Sequence, residues 1–197
     1  MSSADEAVKA AAEFGAPLVL KVVSPQILHK SDIGGVRLNV PADEQAIRDA
    51  YAAVTAAAGT VEGARVEGVL VSPMRNGGTE LLAGVVRDPQ WGPILAVGLG
   101  GIFVEILKDS ALAPLPVTPG QARRLLEKLR GRAVLQGSRG TTPADLDALA
   151  AVIARIADLA LALGGELESV EVNPLRVDGA IIEALDVMVT WTTEEDI

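Results

Sequence analysis

The chain contains no cysteine, and His29 is the only histidine among its 197 residues. Disulfide bonds, thiolate nucleophiles and zinc sites built from cysteine and histidine are therefore excluded. Aromatic residues make up only 3% of the sequence, so the hydrophobic core must consist mainly of valine, leucine, isoleucine and alanine. Such a composition favours strands and alanine-rich helices.

Basic side chains are fewer than acidic ones: the sequence has 17 lysines and arginines and 26 aspartates and glutamates, which gives a formal net charge of -9. This excess of negative charge argues against nucleic-acid binding, which needs a basic face. No apolar run is long enough to span a membrane, and no signal peptide is visible. With 49% apolar residues, the chain can form one large domain or two small lobes. We therefore expect a cytoplasmic protein without a membrane partner.

Periodicity and breaker residues predict a mixture of helices and strands. Helices are predicted over residues 4–14, 43–58, 118–129 and 142–163. Strands are predicted over residues 18–23, 36–40, 66–71, 80–87, 94–97, 167–177 and 180–189. The turn Asn76-Gly77-Gly78 would connect the third and fourth strands, which with the fifth would form an antiparallel meander. This order is unlike the alternation of strand and helix in a doubly wound sheet.

Lys21 interrupts the apolar strand predicted over residues 18–23. A buried lysine is costly unless its ammonium group meets an anion, so one interpretation is an anion-binding residue. The alternative is a lysine on an edge strand that points to solvent. The residues alone leave both interpretations open.

His29 lies in a polar segment that ends at the pair Gly34-Gly35. A neutral imidazole in such a loop can act as a nucleophile or as a proton carrier near pH 7. The alternative is a histidine without a chemical role.

The final predicted hairpin carries oxygen-bearing side chains on both strands. The period of two places Glu171 and Asn173 on one face, and the return strand is expected to place Glu183 and Asp186 opposite them. Carboxylate and amide oxygens are hard ligands suited to Mg²⁺. The alternative is the solvated face of an edge hairpin, which Pro174 weakly favours.

Two further segments suit a nucleotide without being specific for one. Residues 69–74 form an apolar strand that ends in a breaker, where the backbone could bind adenine or simply turn. Residues 98–103 are rich in glycine, which fits a tight turn or an anion-binding loop, but they lack the last glycine of the dinucleotide motif. Four arginines offer cations for phosphate oxygens, although surface arginines often have no specific role: Arg87, Arg130, Arg132 and Arg139.

Taken together and in order, four segments resemble the ATP-grasp domain of the ADP-forming acyl-CoA synthetases, the superfamily of succinyl-CoA synthetase. The segments are residues 20–36, residues 78–93, residues 98–105, and residues 171–175 with Leu185-Asp186. The resemblance covers nearly the whole chain. It implies an ATP-grasp fold of the α+β (α/β) class, with two lobes at about residues 15–74 and 75–197 and a nucleotide between them.

The resemblance also implies the chemical roles of four residues. Lys21 would hold the phosphates of the nucleotide, which would explain a charge in an apolar strand. Asn173 and Asp186 would hold Mg²⁺. His29 would carry a phosphoryl group on a swinging loop, between a second active site and the bound nucleotide. Lys30 and the N–H groups of Gly34-Gly35 could surround the added negative charge.

The remaining nucleotide contacts implied by the resemblance lie at two places in the chain. The strand end formed by Ser72, Pro73 and Met74 matches the segment that binds adenine. Glu80 and Arg87 lie in a second matching segment and are assigned to the nucleotide site.

The implied activity is that of the nucleotide-binding, phosphoryl-relay part of an acid–CoA ligase: acyl-CoA + ADP + phosphate ⇌ acid + CoA + ATP. Mg²⁺ and ATP or ADP would be its cofactors. The CoA-binding and ligase domains of the family are not present in this sequence, so a separate subunit or a fused domain is expected as partner. Family members usually start with an additional helix and strand, so we expect an N-terminally shortened domain. Two alternatives remain, namely an ATP-grasp ligase without phosphohistidine and a non-catalytic regulatory domain.

Overall fold

A computed structural model describes residues 1–15, 17–100, 109–137 and 142–192. The chain divides into two compact units, Met1–Asn76 and Gly77–Ile197. No helix in the described residues is long and apolar enough to cross a membrane.

The first unit is a three-stranded antiparallel sheet with two helices. Its elements are α1 (Ala4–Phe14), β1 (Leu18–Val23), β2 (Val36–Val40), α2 (Glu44–Ala58) and β3 (Gly68–Pro73). The strand order is β2-β1-β3, so the apolar strand β1 lies in the centre. The side chains of Ser3 and Asp43 accept hydrogen bonds from N–H groups of the first helical turns, which stabilises the starts of α1 and α2.

The second unit is a larger antiparallel sheet covered on one face by helices. Its elements are β4 (Thr79–Asp88), β5 (Gly92–Leu99), β6 (Ser110–Pro114), α3 (Pro119–Lys128), a 3₁₀-helix (Arg132–Gln136), α4 (Leu146–Leu163), β7 (Leu167–Asp178), β8 (Ile181–Ala184) and β9 (Val187–Trp191). The strand order is β6-β5-β4-β7, and the other edge of β7 pairs with β8 and with β9.

Each unit has its own aliphatic core, as the scarcity of aromatic residues requires. In the first unit, Leu20, Val54 and Val69 are fully buried. In the second, Leu95 from the sheet and Ile153 from α4 are fully buried in one cluster. Burial of each such side chain contributes about 1.5–3 kcal/mol, so the packing of helices against the sheet stabilises each unit.

The structure differs from the sequence prediction in three places. The meander does not form, because β3 belongs to the first sheet and only β4 and β5 pair with each other. The helix predicted from residue 142 starts at Leu146 instead, since the Asp145 carboxylate accepts hydrogen bonds from the N–H groups of Asp147 and Ala148 at 3.1 and 3.0 Å. Strand β6 was not predicted at all.

Candidate functional site

Lys21 lies in the central strand of the first sheet, so the interpretation as an edge-strand lysine is wrong. Its chain neighbours Leu20 and Val22 are fully buried, which places Lys21 on the opposite face of the sheet. There it lies beside Val36 on β2 and Leu70 on β3, and it is half-buried.

The segment predicted to bind adenine ends the first unit. Ser72 and Pro73 close β3 and pair with the start of β1. The N–H group of Met74 donates to the carbonyl oxygen of Pro17 at 2.8 Å, and proline has no N–H group. Main-chain recognition at Pro73 and Met74 must therefore use carbonyl oxygens, which accept hydrogen bonds.

His29 is exposed in the loop between β1 and β2. The loop is held at both ends, by the buried side chain of Ile27 and by Gly35, where a Cβ atom would lie 2.7 Å from the Val22 side chain. The imidazole is therefore presented to solvent on a short segment with fixed ends.

The glycines of this loop do not supply donors to His29, contrary to the expectation. The N–H group of Gly34 donates to the carbonyl of Ser31 at 3.1 Å, and that of Gly35 donates to the carbonyl of Lys30 at 2.8 Å. Both groups are used within the loop. Donors for a phosphoryl group on His29 would have to be groups other than these two N–H groups.

Asn173 and Asp186 lie directly opposite each other in the second unit. The N–H group of Asn173 donates to the carbonyl oxygen of Asp186 at 3.1 Å. The single return strand predicted for residues 180–189 is in fact two strands, β8 and β9, and Asp186 lies between them. Both residues therefore lie at a local interruption of the sheet edge, although the pairing register is the same on both sides of it.

Glu171 joins Asn173 on the open face of the sheet, as predicted, because Val170 and Val172 turn into the core. The amide nitrogen of Asn173 donates to the Glu171 carboxylate at 3.0 Å. This bond orients the amide so that its oxygen is the atom left to act as a metal ligand. Gly84 lies opposite Glu171 on β4, where a Cβ atom would come within 2.8 Å of a neighbouring carbonyl oxygen.

Glu183 does not lie opposite Glu171 or Asn173, so this part of the expectation is wrong. Its partner on β7 is Arg176, with which it forms an ion pair at 2.9 Å. The remaining oxygen ligands near Asn173 are those of Asp186 and Glu171.

Arg176 is a residue that the sequence reasoning missed. Regular alternation would place it on the core side, but the register of β7 against β4 shifts by one residue between Val172 and Leu175. Beyond this shift Leu175 and Val177 fill the core, so Arg176 lies on the face that carries Asn173. The proline next to Asn173 was the available signal, because proline within a strand is typical of irregular pairing.

The residues assigned to β4 lie at its two ends. Glu80 is exposed near the start, and its carbonyl accepts a 2.6 Å hydrogen bond from the N–H group of Gly100. Arg87, near the far end, donates to the carbonyls of Leu167 and Gly164 at 3.0 Å. Seven residues of strand separate Glu80 from Arg87 by roughly 23 Å, so the structure does not bring them together.

The glycines of the glycine-rich segment serve close packing where the structure describes them. A Cβ atom on Gly100 would lie 2.8 Å from the backbone of Glu80, and one on Gly98 would lie 3.0 Å from the carbonyl of Asp109. Residues 101–108, and Arg139 with its neighbours, lie outside the described residues.

The arginine group beyond α3 is organised around a buried carboxylate. Asp109 accepts hydrogen bonds from the N–H groups of Arg130 and Gly131 at 2.9 and 2.8 Å, and the Arg130 guanidinium lies 3.7 Å away. Burial alone would raise the pKa of Asp109, but these N–H groups and the Arg130 charge lower the pKa below its usual value. Arg132 points a nitrogen atom toward the carbonyl of Leu129 at 3.5 Å. These contacts stabilise the turn after α3.

The oxygen donors of Asn173 and Asp186, with Glu171 beside them, fit Mg²⁺ in kind. Within the part of the chain that the structure describes, no three histidine, cysteine, aspartate or glutamate side chains are grouped to hold a metal. Mg²⁺ commonly takes only one or two carboxylates from a protein and completes its shell with waters and phosphate oxygens. Two protein ligands of this kind would leave the rest of a Mg²⁺ shell to waters and phosphate oxygens.

Comparison with known proteins assigns residues 1–190 of the chain to one family. The model of a family described as an ATP-grasp domain matches residues 1–190. The beta subunit of acetate–CoA ligase (ADP-forming) I from Pyrococcus furiosus is 42% identical over 172 residues, which are 87% of this chain and 73% of the relative. Acetate–CoA ligase (ADP-forming) I of Archaeoglobus fulgidus is 42% identical over 174 residues, but this chain covers only 25% of its length.

Solved structures match the fold closely. The dinucleotide-forming acetyl-coenzyme A synthetase 1 of Ca. Korarchaeum cryptofilum, in complex with coenzyme A, Ca-AMPCP and HgCl⁺, superposes with a TM-score of 0.90 at 34% identity, covering 98% of this chain and 83% of that one. A second structure of that protein, with coenzyme A and Mg-AMPPCP and its phosphohistidine segment pointing towards the nucleotide-binding site, gives a TM-score of 0.79 at 31% identity, covering 96% and 83%. The fold is thus an ATP-grasp fold, and the chain belongs to the ATP-grasp domain family of the ADP-forming acetate–CoA ligase beta subunits.

Proposed function

We propose that this chain is the nucleotide-binding and phosphoryl-relay component of an ADP-forming acid–CoA ligase, with Mg²⁺ and ATP or ADP as cofactors. The observation that carries the proposal is the 42% identity to the Pyrococcus furiosus beta subunit across 87% of this chain. The structure supports it by exposing the sole histidine on a short loop with fixed ends and by setting two oxygen-bearing residues opposite each other. A cytoplasmic location is part of the same proposal.

The chemical step assigned to the chain is a phosphoryl transfer between His29 and the nucleotide. In the ATP-forming direction, the bond between phosphorus and an imidazole nitrogen breaks while a bond to the terminal phosphate oxygen of ADP forms. The imidazole then takes up a proton and is neutral again. Lys21 offsets the phosphate charge, and the Mg²⁺ held by Asn173 and Asp186 would lower the repulsion between the nucleotide phosphates.

The partner in this proposal is the CoA-binding, ligase half of the enzyme. One relative is a beta subunit of which the chain covers 73%, and another is a single longer chain of which it covers 25%. The partner is therefore a separate subunit or a fused domain that carries the second phosphohistidine site. Without it, the chain does not form acyl-CoA, and phosphorylation of His29 requires nucleotide, Mg²⁺ and the partner together.

Radiolabelled ATP tests the proposal directly. The chain, Mg²⁺ and the CoA-binding subunit are incubated with ATP labelled at the γ-phosphate, and the protein-bound label is followed after acid and base treatment. A phosphohistidine loses its label in acid and keeps it in base, which a phosphoserine does not. The label should disappear in His29→Ala, while Ser31→Ala in the same loop should retain it.

Turnover of His29→Ala in the assembled enzyme separates the proposal from a plain acyl-phosphate mechanism. Loss of turnover with ADP binding preserved is the expected result, because the exposed imidazole does not shape the nucleotide pocket. Full turnover without His29 would show that the phosphoryl group does not pass through it. In that case the relay would have to be abandoned while the nucleotide-binding assignment stayed.

A further inference from the structure

We propose that Arg176 is a positioning residue for the metal and nucleotide ligands of the second unit, an inference that rests on the proposed function of Asn173 and Asp186. The Arg176 side chain is only 8% exposed. Its three nitrogen atoms donate to three different chain segments: Nε to the carbonyl of Gly77, Nη1 to Glu183 and Nη2 to Asp178, each at 2.9 Å. One guanidinium therefore connects the start of β4, the end of β7 and strand β8.

The contact with Glu183 fixes the register that sets Asp186 opposite Asn173. Arg176 follows Asn173 by three residues, and Glu183 precedes Asp186 by three, so the ion pair is three rungs from the proposed metal ligands. A slip of one residue would turn Asp186 to the other face of the sheet. Strand β8 has only four residues, none fully buried, so apolar packing alone holds this register weakly.

On the side of β7 that faces β4, Arg176 binds the backbone just before β4 begins. Gly77 is the first residue of the second unit. Glu80, which is assigned to the nucleotide site, follows three residues later. In the pairing of β4 with β7, Glu80 lies directly opposite Arg176. A Cβ atom on Gly78 would lie 3.3 Å from the Arg176 Nε atom and 2.7 Å from the carbonyl of Val177. The backbone at this point is thus packed directly against the guanidinium.

The charges around Arg176 fit a structural role better than direct binding of a ligand. The carboxylates of Asp178 and Glu183 are 32% and 27% exposed, so two partly buried negative charges compensate one buried positive charge. Every guanidinium nitrogen already has a hydrogen-bond partner, and Asn173 lies roughly 10 Å away along the strand. Arg176 therefore acts on the site through the backbone rather than by touching phosphate or metal.

Metal binding, rather than turnover, tests this inference. Mn²⁺ serves as a paramagnetic substitute for Mg²⁺, and its affinity is measured by electron paramagnetic resonance in the presence of ADP, for wild type, Arg176→Met, Arg176→Lys and Asp186→Ala. Arg123→Met is the matched control, because Arg123 also binds two carboxylates, Glu127 and Asp147, but does so on helices α3 and α4. Denaturation curves establish that each variant is folded at the temperature of the titration.

We expect Arg176→Met to weaken Mn²⁺ binding by about 10–100-fold, as removal of groups that orient metal ligands commonly does. Arg176→Lys should be intermediate, and Arg123→Met should bind as wild type does even if it is equally destabilised. If Arg176→Met does not fold, Glu183→Gln takes its place, since it removes the charge and keeps an acceptor. A smaller loss of affinity is then expected.

Three outcomes would overturn different claims. Wild-type affinity in a folded Arg176→Met, together with loss of binding in Asp186→Ala, would overturn the role of Arg176 and leave the proposed function intact. Absence of ADP-dependent Mn²⁺ binding in the wild type, or its persistence in Asp186→Ala, would instead overturn the metal assignment on which the inference rests. Equal losses in Arg176→Met and Arg123→Met would reduce Arg176 to an ordinary stabilising contact.

Discussion

Asn173 and Asp186 form a backbone pair of 3.1 Å at the one place where the edge pairing of β7 passes from β8 to β9. Their backbones are thus held together where Asp186, between β8 and β9, lies opposite β7. We predict that Asp186→Ala weakens Mg²⁺-dependent ADP binding by at least about tenfold, because one of few protein ligands is lost. Isothermal titration calorimetry with and without EDTA measures the effect. Asp158→Ala, an exposed carboxylate of α4, is the control and should bind normally.

The strand end at Pro73 and Met74 predicts a preference for adenine over guanine. Pro73 has no N–H group and Met74 donates its own to Pro17, so the backbone offers carbonyl acceptors. The amino group of adenine can donate to such a carbonyl, whereas the corresponding oxygen of guanine would face another acceptor. We expect ADP to bind more tightly than GDP by about 1–3 kcal/mol. Competition titrations against a fluorescent ADP analogue would show this, and equal affinities would contradict it.

Gly35→Ala should destabilise the first unit although the residue is small. The added methyl group would lie 2.7 Å from the Val22 side chain and 3.0 Å from the Lys30 carbonyl, so the loop or the central strand must shift. A loss of about 1–3 kcal/mol in the free energy of unfolding is expected. Denaturant titration provides the measurement. Ser31→Ala, exposed in the same loop, should change stability by less than about 0.5 kcal/mol, and a similar loss there would refute the steric reason.

The lowered pKa of Asp109 predicts that the protein loses stability in acid. Its pKa is lowered in the folded protein, so its ionised form stabilises the fold above the pKa of the unfolded state, and this contribution disappears as the pH falls through the lower folded pKa. Near neutral pH, Asp109→Asn should cost about 1–3 kcal/mol, because bonds from two N–H groups to a charge are lost. Thermal denaturation of both proteins between pH 7 and pH 3 should show the difference shrinking in acid. A difference independent of pH would contradict the assignment.

The sequence predicted most elements, because their ends carry local signals. Helix α1 ends before Gly15, and α3 begins with Thr118 and Gln121 bonded to each other as a capping pair. The pairing of β3 is set by contacts far along the chain, which explains why the meander was wrong. Asp145 displaced Thr142 as the cap of α4 for a comparable reason, since the N–H group of Asp145 is bound to the carbonyl of distant Gly179.

The candidate site was predictable where the strand period sufficed, as for the shared face of Glu171 and Asn173. It was not predictable where the backbone departs from regular geometry. Counting by two puts Arg176 in the core, which is wrong because strand β7 contains one extra residue opposite β4. Glu183 was misplaced for a different reason, since the register between β7 and β8 pairs it with Arg176. Nothing in the composition of a short segment reveals how many residues its distant partner will contribute.

That extra residue makes the chain's length at this point as important as its chemistry. Deleting Pro174 would restore regular alternation against β4 and leave Arg176 on its present face, but it would remove the residue that lies opposite Leu185 at the sheet edge. The pairs Asn173–Asp186 and Arg176–Glu183 could then not both keep their register. Indels are therefore expected to be purged between residues 172 and 175 even when every side chain around them is retained. Replacing one aliphatic residue nearby by another keeps this register, whereas a change in the number of residues in this short stretch does not.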